Sequence, residues 1–141
     1  MAGPVDPLRL QKTRKRILVV DDDPDIVGLL REQLAWEGYQ IDVAYDGLAA
    51  IDRAVAFQPD LVLLDIMMPK VDGWVVCHSL KHHPDTRHIK IIIISVLNKI
   101  QERLRGMDIH QADFYLCKPF DLEDLSRAVE KLLGLSALSV R

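Results

Sequence analysis

Short apolar runs alternate along the chain with segments in which apolar residues recur at helical spacing. The runs RILVV, YQIDVA, LVLLD, IKIIIIS and FYLC are typical of short β-strands. After the first run, Ile26, Leu29, Leu30 and Leu34 share one helical face, and helical spacing also follows each later run. Five strand-helix units in a row predict an α/β fold, with a parallel sheet covered by helices on both faces.

Several residues mark the ends of the predicted helices. Gly38 stands where the first of them would end, and Asp46 is placed to cap the next one. Asp121 opens the last helix, with Asp124 at the capping-box position where Glu or Gln is usual. The helix between the fourth and fifth strands is predicted from Ile100, Leu104 and Met107.

The 141 residues fit one domain with a hydrophobic core. Two prolines and a lack of periodicity predict a flexible tail over residues 1–14. We expect the domain to cover residues 15–134 and a short C-terminal tail to cover residues 135–141. A basic cluster lies where the first tail meets the domain, and a solvated charge run explains it better than a nucleic-acid arm does; its members are Lys12, Arg14, Lys15 and Arg16.

Composition and charge narrow the class of protein. Apolar residues make up 49% of the chain and charged residues 28%, as in ordinary soluble domains. The net charge of -3 argues against direct binding of nucleic acid. We see neither the apolar length of a membrane span nor the apolar core of an export signal, so we expect a cytoplasmic protein with no membrane partner. Cys77 and Cys117 have no metal-binding or redox spacing.

Polar residues follow four of the predicted strands, at the edge where parallel α/β sheets form their sites. They are Asp21, Asp22 and Asp23 after the first strand, Asp65 after the third, Ser95 after the fourth and Lys118 after the fifth. Grouped carboxylates repel one another, and Mg2+ relieves that repulsion with few carboxylates, water and a phosphate oxygen. Aspartate can also act as a nucleophile and form an aspartyl phosphate. The set therefore predicts phosphoryl-transfer chemistry.

Each member of this set also has an ordinary structural explanation. The acidic run after the first strand is often only a helix cap. Ser95 alone would be a loop hydroxyl, Lys118 alone a surface lysine, and Asp65 alone a turn cap. The site is favoured because four such coincidences would have to fall at one edge of the sheet.

Four fragments, ILVVDDDPDI, PDLVLLDIMMPKVDG, IIIIS and YLCKPF, resemble in order and spacing the receiver domain of two-component response regulators. The resemblance covers roughly residues 15–134. It implies a doubly wound (βα)5 flavodoxin-like fold, a three-layer sandwich whose five-stranded parallel sheet has the order 2-1-3-4-5. It also implies a histidine kinase or phosphotransfer protein as donor, and a downstream protein effector or a missing output domain as target. The chain would then be a signalling switch and not an enzyme in its own right.

The resemblance assigns roles at the metal site. Asp65 would accept the phosphoryl group. Asp22, Asp65 and the backbone carbonyl of Met67 would bind Mg2+ directly, and Asp21 would bind it through water. Asp23 would be peripheral.

The resemblance also assigns the switch. Lys118 would contact the phosphoryl group, Ser95 would supply the switch hydroxyl, and Tyr115 would be the aromatic that turns on activation. Without the resemblance, Tyr115 would be explained as packing. The Lys118-Pro119 bond is often cis in the family.

Two departures from the family pattern, and two residues at positions that flank the phosphoryl group in the family, carry expectations of their own. Val96 is bulkier than the usual Ala or Gly and would narrow the access of small donors to Asp65. Met67 and Leu97 are apolar, which predicts slow loss of phosphate. Asp113-Phe114 replaces an acidic pair before the tyrosine, which argues against one known receiver dimer and leaves Phe114 as partner patch or core.

Two other functions stay open on sequence alone. Asp21 and Asp23 resemble the Asp-x-Asp motif of haloacid-dehalogenase-type phosphatases, in which Asp21 would carry the phosphate; Asp25 stands where that family has Thr or Val. The chain could also be a phosphate-independent binding module. Separately, His78 and His82 have a spacing that can bind zinc, but surface histidines are favoured because no third ligand is evident.

Overall fold

In the computed structural model, residues 6–66, 68, 72–96, 99–101 and 112–135 are described. The strands are β1 (Arg16–Val20), β2 (Gln40–Ala44), β3 (Leu61–Asp65), β4 (Lys90–Val96) and β5 (Phe114–Lys118). The helices are α1 (Pro7–Lys12), α2 (Pro24–Glu37), α3 (Gly47–Phe57), α4 (Gly73–His82) and α5 (Leu122–Leu132). Residues 99–101 are helical, whereas Leu104 and Met107 of the helix predicted there lie outside the described residues.

The five strands form one parallel sheet in the order β2-β1-β3-β4-β5, which confirms the predicted topology. Successive side chains of a strand point to opposite faces, so each strand feeds two cores. Leu64 and Ile93 pack with α3 and α4 on one face. Leu63 and Ile92 pack with α2 and α5 on the other. The result is the expected three-layer arrangement. No helix among the described residues has the length and apolar content needed to cross a membrane.

Aspartates cap the helices at the sheet's carboxyl edge. Asp23 accepts a hydrogen bond from the Asp25 N–H at 2.9 Å and starts α2. Asp46 caps α3 as predicted. Asp121 and Asp124 form the predicted capping box at α5. Each cap supplies an acceptor for backbone donors that the helix itself leaves unpaired, and so fixes where the helix begins.

The N-terminal segment differs from the expected flexible tail. Residues 7–12 form α1, which Asp6 caps by accepting the Leu8 N–H at 3.0 Å. A six-residue helix is too short to show a periodic pattern, and its stability comes from packing. Leu8 packs against the core shared by α2 and α5.

Lys12 is buried, so the expectation of a solvated charge run is wrong for this residue. Its ammonium nitrogen lies 3.1 Å from Glu37 on α2 and 2.8 Å from Glu130 on α5. Glu37 also accepts hydrogen bonds from Gln33 and Ser126. A buried charge is tolerable only with such partners, and these partners come from distant parts of the chain.

Candidate functional site

Strands β1, β3, β4 and β5 bring four of the predicted site residues to one edge of the sheet. Asp21, Asp65 and Ser95 are nearly inaccessible there, with exposed fractions of 4%, 5% and 1%. Two carboxyl groups buried side by side are unfavourable without compensating partners. The edge therefore has the features of a binding site rather than of an ordinary surface.

Lys118 provides the positive charge of the site. Its Nζ lies 2.8 Å from Oδ2 of Asp65, although β4 separates their strands. Strand register places Lys118 beside Val96 and Asp65 beside Ile94. By strand alternation these side chains lie on the α2/α5 face, so the long lysine side chain reaches across the end of β4 to the carboxylate.

Asp21 shares the buried edge with Asp65. The pKa of Asp21 is raised to about 7, mainly by burial, and the charge and hydrogen bond of Asp65 contribute to this rise. The Asp23 N–H, which donates to Asp21 Oδ1 at 3.0 Å, and the charge of Lys118 act in the opposite direction. A divalent cation would fit beside two buried carboxyl groups, because its charge offsets the repulsion between them.

The other members of the predicted metal set are less well placed. Asp22 is exposed, and the side chain of Asp23 is engaged as the cap of α2. Among the described residues, no three His, Cys, Asp or Glu side chains lie close enough together to hold a metal ion. Met67, whose carbonyl was expected to bind Mg2+, lies outside the described residues, as does Leu97.

Ser95 and Tyr115 lie on the α3/α4 face of the sheet. Ser95 pairs in register with Cys117, and Ile93 pairs with Tyr115, so both side chains project from the same face. The Ser95 hydroxyl is buried and has no hydrogen-bond partner in the described structure. A buried hydroxyl without a partner is costly and therefore points to an acceptor that binds there.

Tyr115 is half-buried and contacts an aromatic residue that sequence reasoning missed. Its ring centroid lies 6.0 Å from that of Trp74, with the planes tilted by 40°. Trp74 directly follows Gly73, the first residue of α4. A Cβ at Gly73 would lie 2.4 Å from Ile66 Cα and 2.8 Å from the Asp65 carbonyl oxygen, so only glycine lets α4 approach the end of β3 this closely.

A cavity of about 600 Å3 opens beside Asp65 between α2 and the start of α5. Its apolar walls include Ile26, Leu29 and Phe120, and Asp65 and Lys118 line it too. Sequence periodicity assigned Ile26 and Leu29 to a helix face, but it could not show that they border a groove at the site.

The structure also shows two sequence features that lie outside the site, the Asp113-Phe114 pair and the histidine pair of α4. Asp113 is engaged within the chain, 2.6 Å from Lys81 Nζ and accepting the Ile91 N–H at 2.8 Å, while Phe114 is partly exposed. The rings of His78 and His82 are exposed and stacked with their centroids 3.9 Å apart. They belong to no larger metal-binding group within the described part of the chain.

Comparison with known proteins agrees with this geometry. The family model of the response regulator receiver domain matches residues 17–130. The chain is 43% identical over 118 residues to the DNA-binding dual master transcriptional regulator RpaA of Synechocystis, covering 84% of this chain and 48% of RpaA. It is 41% identical to response regulator MprA of Mycobacterium avium, with coverage of 84% and 50%. The structure of response regulator protein TrrA from Thermotoga maritima, in complex with Mg2+-BeF, has a TM-score of 0.73 and 38% identity, covering 84% of this chain and 98% of TrrA.

The chain therefore belongs to the receiver-domain family of two-component response regulators. It spans about half the length of the two curated relatives. A phosphoacceptor role in signalling fits both the family and the site, and neither the phosphatase nor the phosphate-independent module is favoured.

Proposed function

We propose that Asp65 accepts a phosphoryl group and that this event switches the protein's interactions with its partners. The observation that carries the proposal is the buried Asp65 carboxylate, held 2.8 Å from Lys118 Nζ and beside Asp21 at the carboxyl edge of the sheet. A nucleophile, a nearby cation and a second carboxylate are the parts that an acyl phosphate site needs.

Mg2+ fits this site as cofactor. Asp65, Asp22 and the backbone carbonyl of Met67 would hold the ion directly, and Asp21 would hold it through water. The burial of Asp21 beside Asp65 and the raised pKa of Asp21 support a cation at this position, because the ion would offset the repulsion between the two carboxylates. When bound, Mg2+ neutralises charge on the transferring group. The relative TrrA was crystallised in complex with Mg2+-BeF.

The chain's own residues perform the remaining steps. A carboxylate oxygen of Asp65 attacks phosphorus and forms an O–P bond, while the bond from phosphorus to the donor breaks and the donor keeps that electron pair. Lys118 stays beside the phosphoryl oxygens and offsets their charge. The Ser95 hydroxyl donates a hydrogen bond to a phosphoryl oxygen and so gains the partner it lacks. Tyr115 turns as Ser95 moves, and the surface formed by β5 and its neighbours changes with it.

The proposed donor is a histidine kinase or a phosphotransfer protein in the cytoplasm. Output would pass to a protein effector, or to an output domain corresponding to the half of the curated relatives that this chain does not span. The DNA binding in the name of RpaA would then reside in that other half, and this chain would bind neither nucleic acid nor membrane. Its only chemistry would be its own phosphorylation and dephosphorylation.

The proposal is tested by intact mass spectrometry after incubation with acetyl phosphate and Mg2+. The wild type should gain one phosphoryl group in a Mg2+-dependent way, and Asp65→Asn should gain none. Asp21→Asn is the informative companion: the phosphatase alternative places the phosphate on Asp21, so a gain retained in Asp65→Asn and lost in Asp21→Asn would reverse the assignment.

A further inference from the structure

Trp74 and Tyr115 form an aromatic pair on the α3/α4 face of the sheet, with ring centroids 6.0 Å apart. Trp74 is buried within the core on this face, and Tyr115 packs against the same core while remaining partly accessible. The two residues lie on different elements, α4 and β5, which are not neighbours along the chain. Their contact joins two parts of the molecule that each border the phosphoacceptor site.

Trp74 is tied to the end of β3. Its N–H donates to the capping carboxylate of Asp72 at 2.8 Å. The N–H of Gly73 donates to the Ile66 carbonyl at 3.4 Å, and the missing Cβ of Gly73 allows contact with the Asp65 carbonyl oxygen. Any displacement of the backbone at Asp65 and Ile66 is therefore transmitted to the first turn of α4, which carries the indole.

Tyr115 is tied to the other side of the site. It stands three residues before Lys118 on β5 and pairs with Ile93 of β4, two residues before Ser95. Tyr115 and its register partner Ile93 project from the same face, and Ser95, two residues after Ile93 on β4, projects from that face too. Movement of the Ser95 hydroxyl toward a bound group would thus change the space next to the Tyr115 ring.

We propose that Trp74 is a positioning residue of the switch, which acts through Tyr115 and couples its orientation to the backbone that carries Asp65. The inference rests on the proposed function, since it takes Tyr115 as the aromatic that turns when Asp65 is modified. Aromatic pairs favour particular tilts and separations, so the ring of Tyr115 cannot turn without changing its contact with the indole. Trp74 therefore contributes to the equilibrium between the two orientations of the Tyr115 ring.

The chain offers a direct optical test. It contains two tryptophans, and the other, Trp36, is 74% exposed on the far part of α2. In a Trp36→Phe background, Trp74 is the only indole emitter. Titration with beryllofluoride, a stable mimic of a phosphoryl group, in the presence of Mg2+ should shift the Trp74 emission. The shift should vanish in Asp65→Asn and should shrink strongly in Tyr115→Leu.

The outcomes separate this inference from the proposed function. An unchanged emission in protein that gains a phosphoryl group by mass would overturn the role of Trp74 and leave the function intact. An undiminished shift in Tyr115→Leu would also overturn the proposed role of Trp74. The indole would then respond to the backbone that carries Asp65 and not to the tyrosine. Protein that gains no phosphoryl group would overturn both.

A double-mutant cycle distinguishes positioning from simple core packing. Trp74→Leu removes the ring, Trp74→Phe keeps an aromatic ring, and each is combined with Tyr115→Leu. We expect Trp74→Leu to change the apparent beryllofluoride affinity by about two- to tenfold when Tyr115 is present, and Trp74→Phe to change it less. With Tyr115→Leu the effect should disappear. Equal effects in both backgrounds would assign Trp74 to the core alone.

Discussion

Lys118 on β5 and Asp65 on β3 meet across the end of the strand that separates them, with 2.8 Å between Nζ and Oδ2. Asp65 is buried, whereas the lysine side chain keeps 35% of its surface exposed. The carboxylate is thus fixed within the sheet edge, and the cation is supplied from a side chain that can move with an incoming group. This relationship makes a buried aspartate compatible with a stable fold.

The first prediction concerns that cation. Lys118→Ala should lower the rate of phosphorylation by acetyl phosphate by about 100-fold, because charge on the transferring group would lose a preorganised partner. The rate is followed by intact mass over time. Lys131→Ala, at an exposed lysine of α5, is the matched control and should leave the rate unchanged. Equal rates in Lys118→Ala and wild type would remove the lysine from the mechanism.

The second prediction concerns pH and Asp21. Its pKa is raised from 3.8 to about 7, first by burial, so between these values the native state binds more protons at this site than the unfolded chain. The free energy of unfolding therefore falls as pH rises through this window. Asn does not titrate, so Asp21→Asn should not lose stability in this way as pH rises. The variant should be more stable than wild type at pH 8 by about 2 kcal/mol, with a smaller gain at pH 4.5.

Urea unfolding in EDTA at the two pH values measures this difference. Asp22→Asn, at the exposed neighbouring aspartate, is the control and should show little pH-dependent gain. A stability change in Asp21→Asn that is the same at both pH values would show that the carboxyl group does not titrate in this range.

The sheet and most of the site were predictable because their signals are local. Short apolar runs define most of the strands, and Asp65 and Lys118 stand at the ends of two of them, so topology alone brings them to one edge. The resemblance to receivers then assigned their roles. The partner of Asp65 was predictable for the same reason, since parallel strands end together.

Features that depend on distant packing were not predictable. Lys12 looked like part of a solvated cluster because nothing near it in sequence reveals Glu37 or Glu130. Trp74 was missed because its contact with Tyr115 depends on how α4 meets β5, which no local pattern reveals. For Asp23 the ordinary structural explanation of the acidic run is correct, because its side chain caps α2.

The third prediction concerns Val96, which is 41% exposed and pairs in register with Lys118 at the edge of the sheet. Its branched side chain occupies space beside the lysine, so Val96→Ala should speed phosphorylation by acetyl phosphate. Val55→Ala, at a valine of similar exposure (44%) on α3, should not. A rate for Val96→Ala at or below that of wild type would show that this side chain does not restrict small donors.

The fourth prediction concerns the ion cluster of α1. Lys12→Met leaves Glu37 and Glu130 without their shared cation, and should lower the free energy of unfolding by about 2 to 4 kcal/mol. Arg14→Met, at an exposed position just beyond α1, should cost far less. Urea unfolding at pH 7 measures both, and equal losses would mean that the cluster adds no stability of its own.

The same cluster should make the free energy of unfolding depend on pH in the alkaline range. Burial lowers the pKa of Lys12, but hydrogen bonds and charge from Glu130 and Glu37 outweigh it and leave the pKa above its ordinary 10.5. The stability that Lys12 contributes is fully present below the pKa of lysine in the unfolded chain. It is lost as pH rises through the pKa of Lys12 in the native state. The difference between wild type and Lys12→Met should therefore narrow at strongly alkaline pH.

Chemical marking of the modified residue shows whether Asp65 carries the phosphoryl group. Borohydride reduces an acyl phosphate to an alcohol, so a phosphorylated aspartate becomes homoserine, which peptide mass spectrometry can assign to one position. After treatment with acetyl phosphate and Mg2+, we expect homoserine at position 65 and at no other aspartate. Homoserine at position 21 instead, or at neither position in protein that has gained a phosphoryl group, would contradict the role of Asp65.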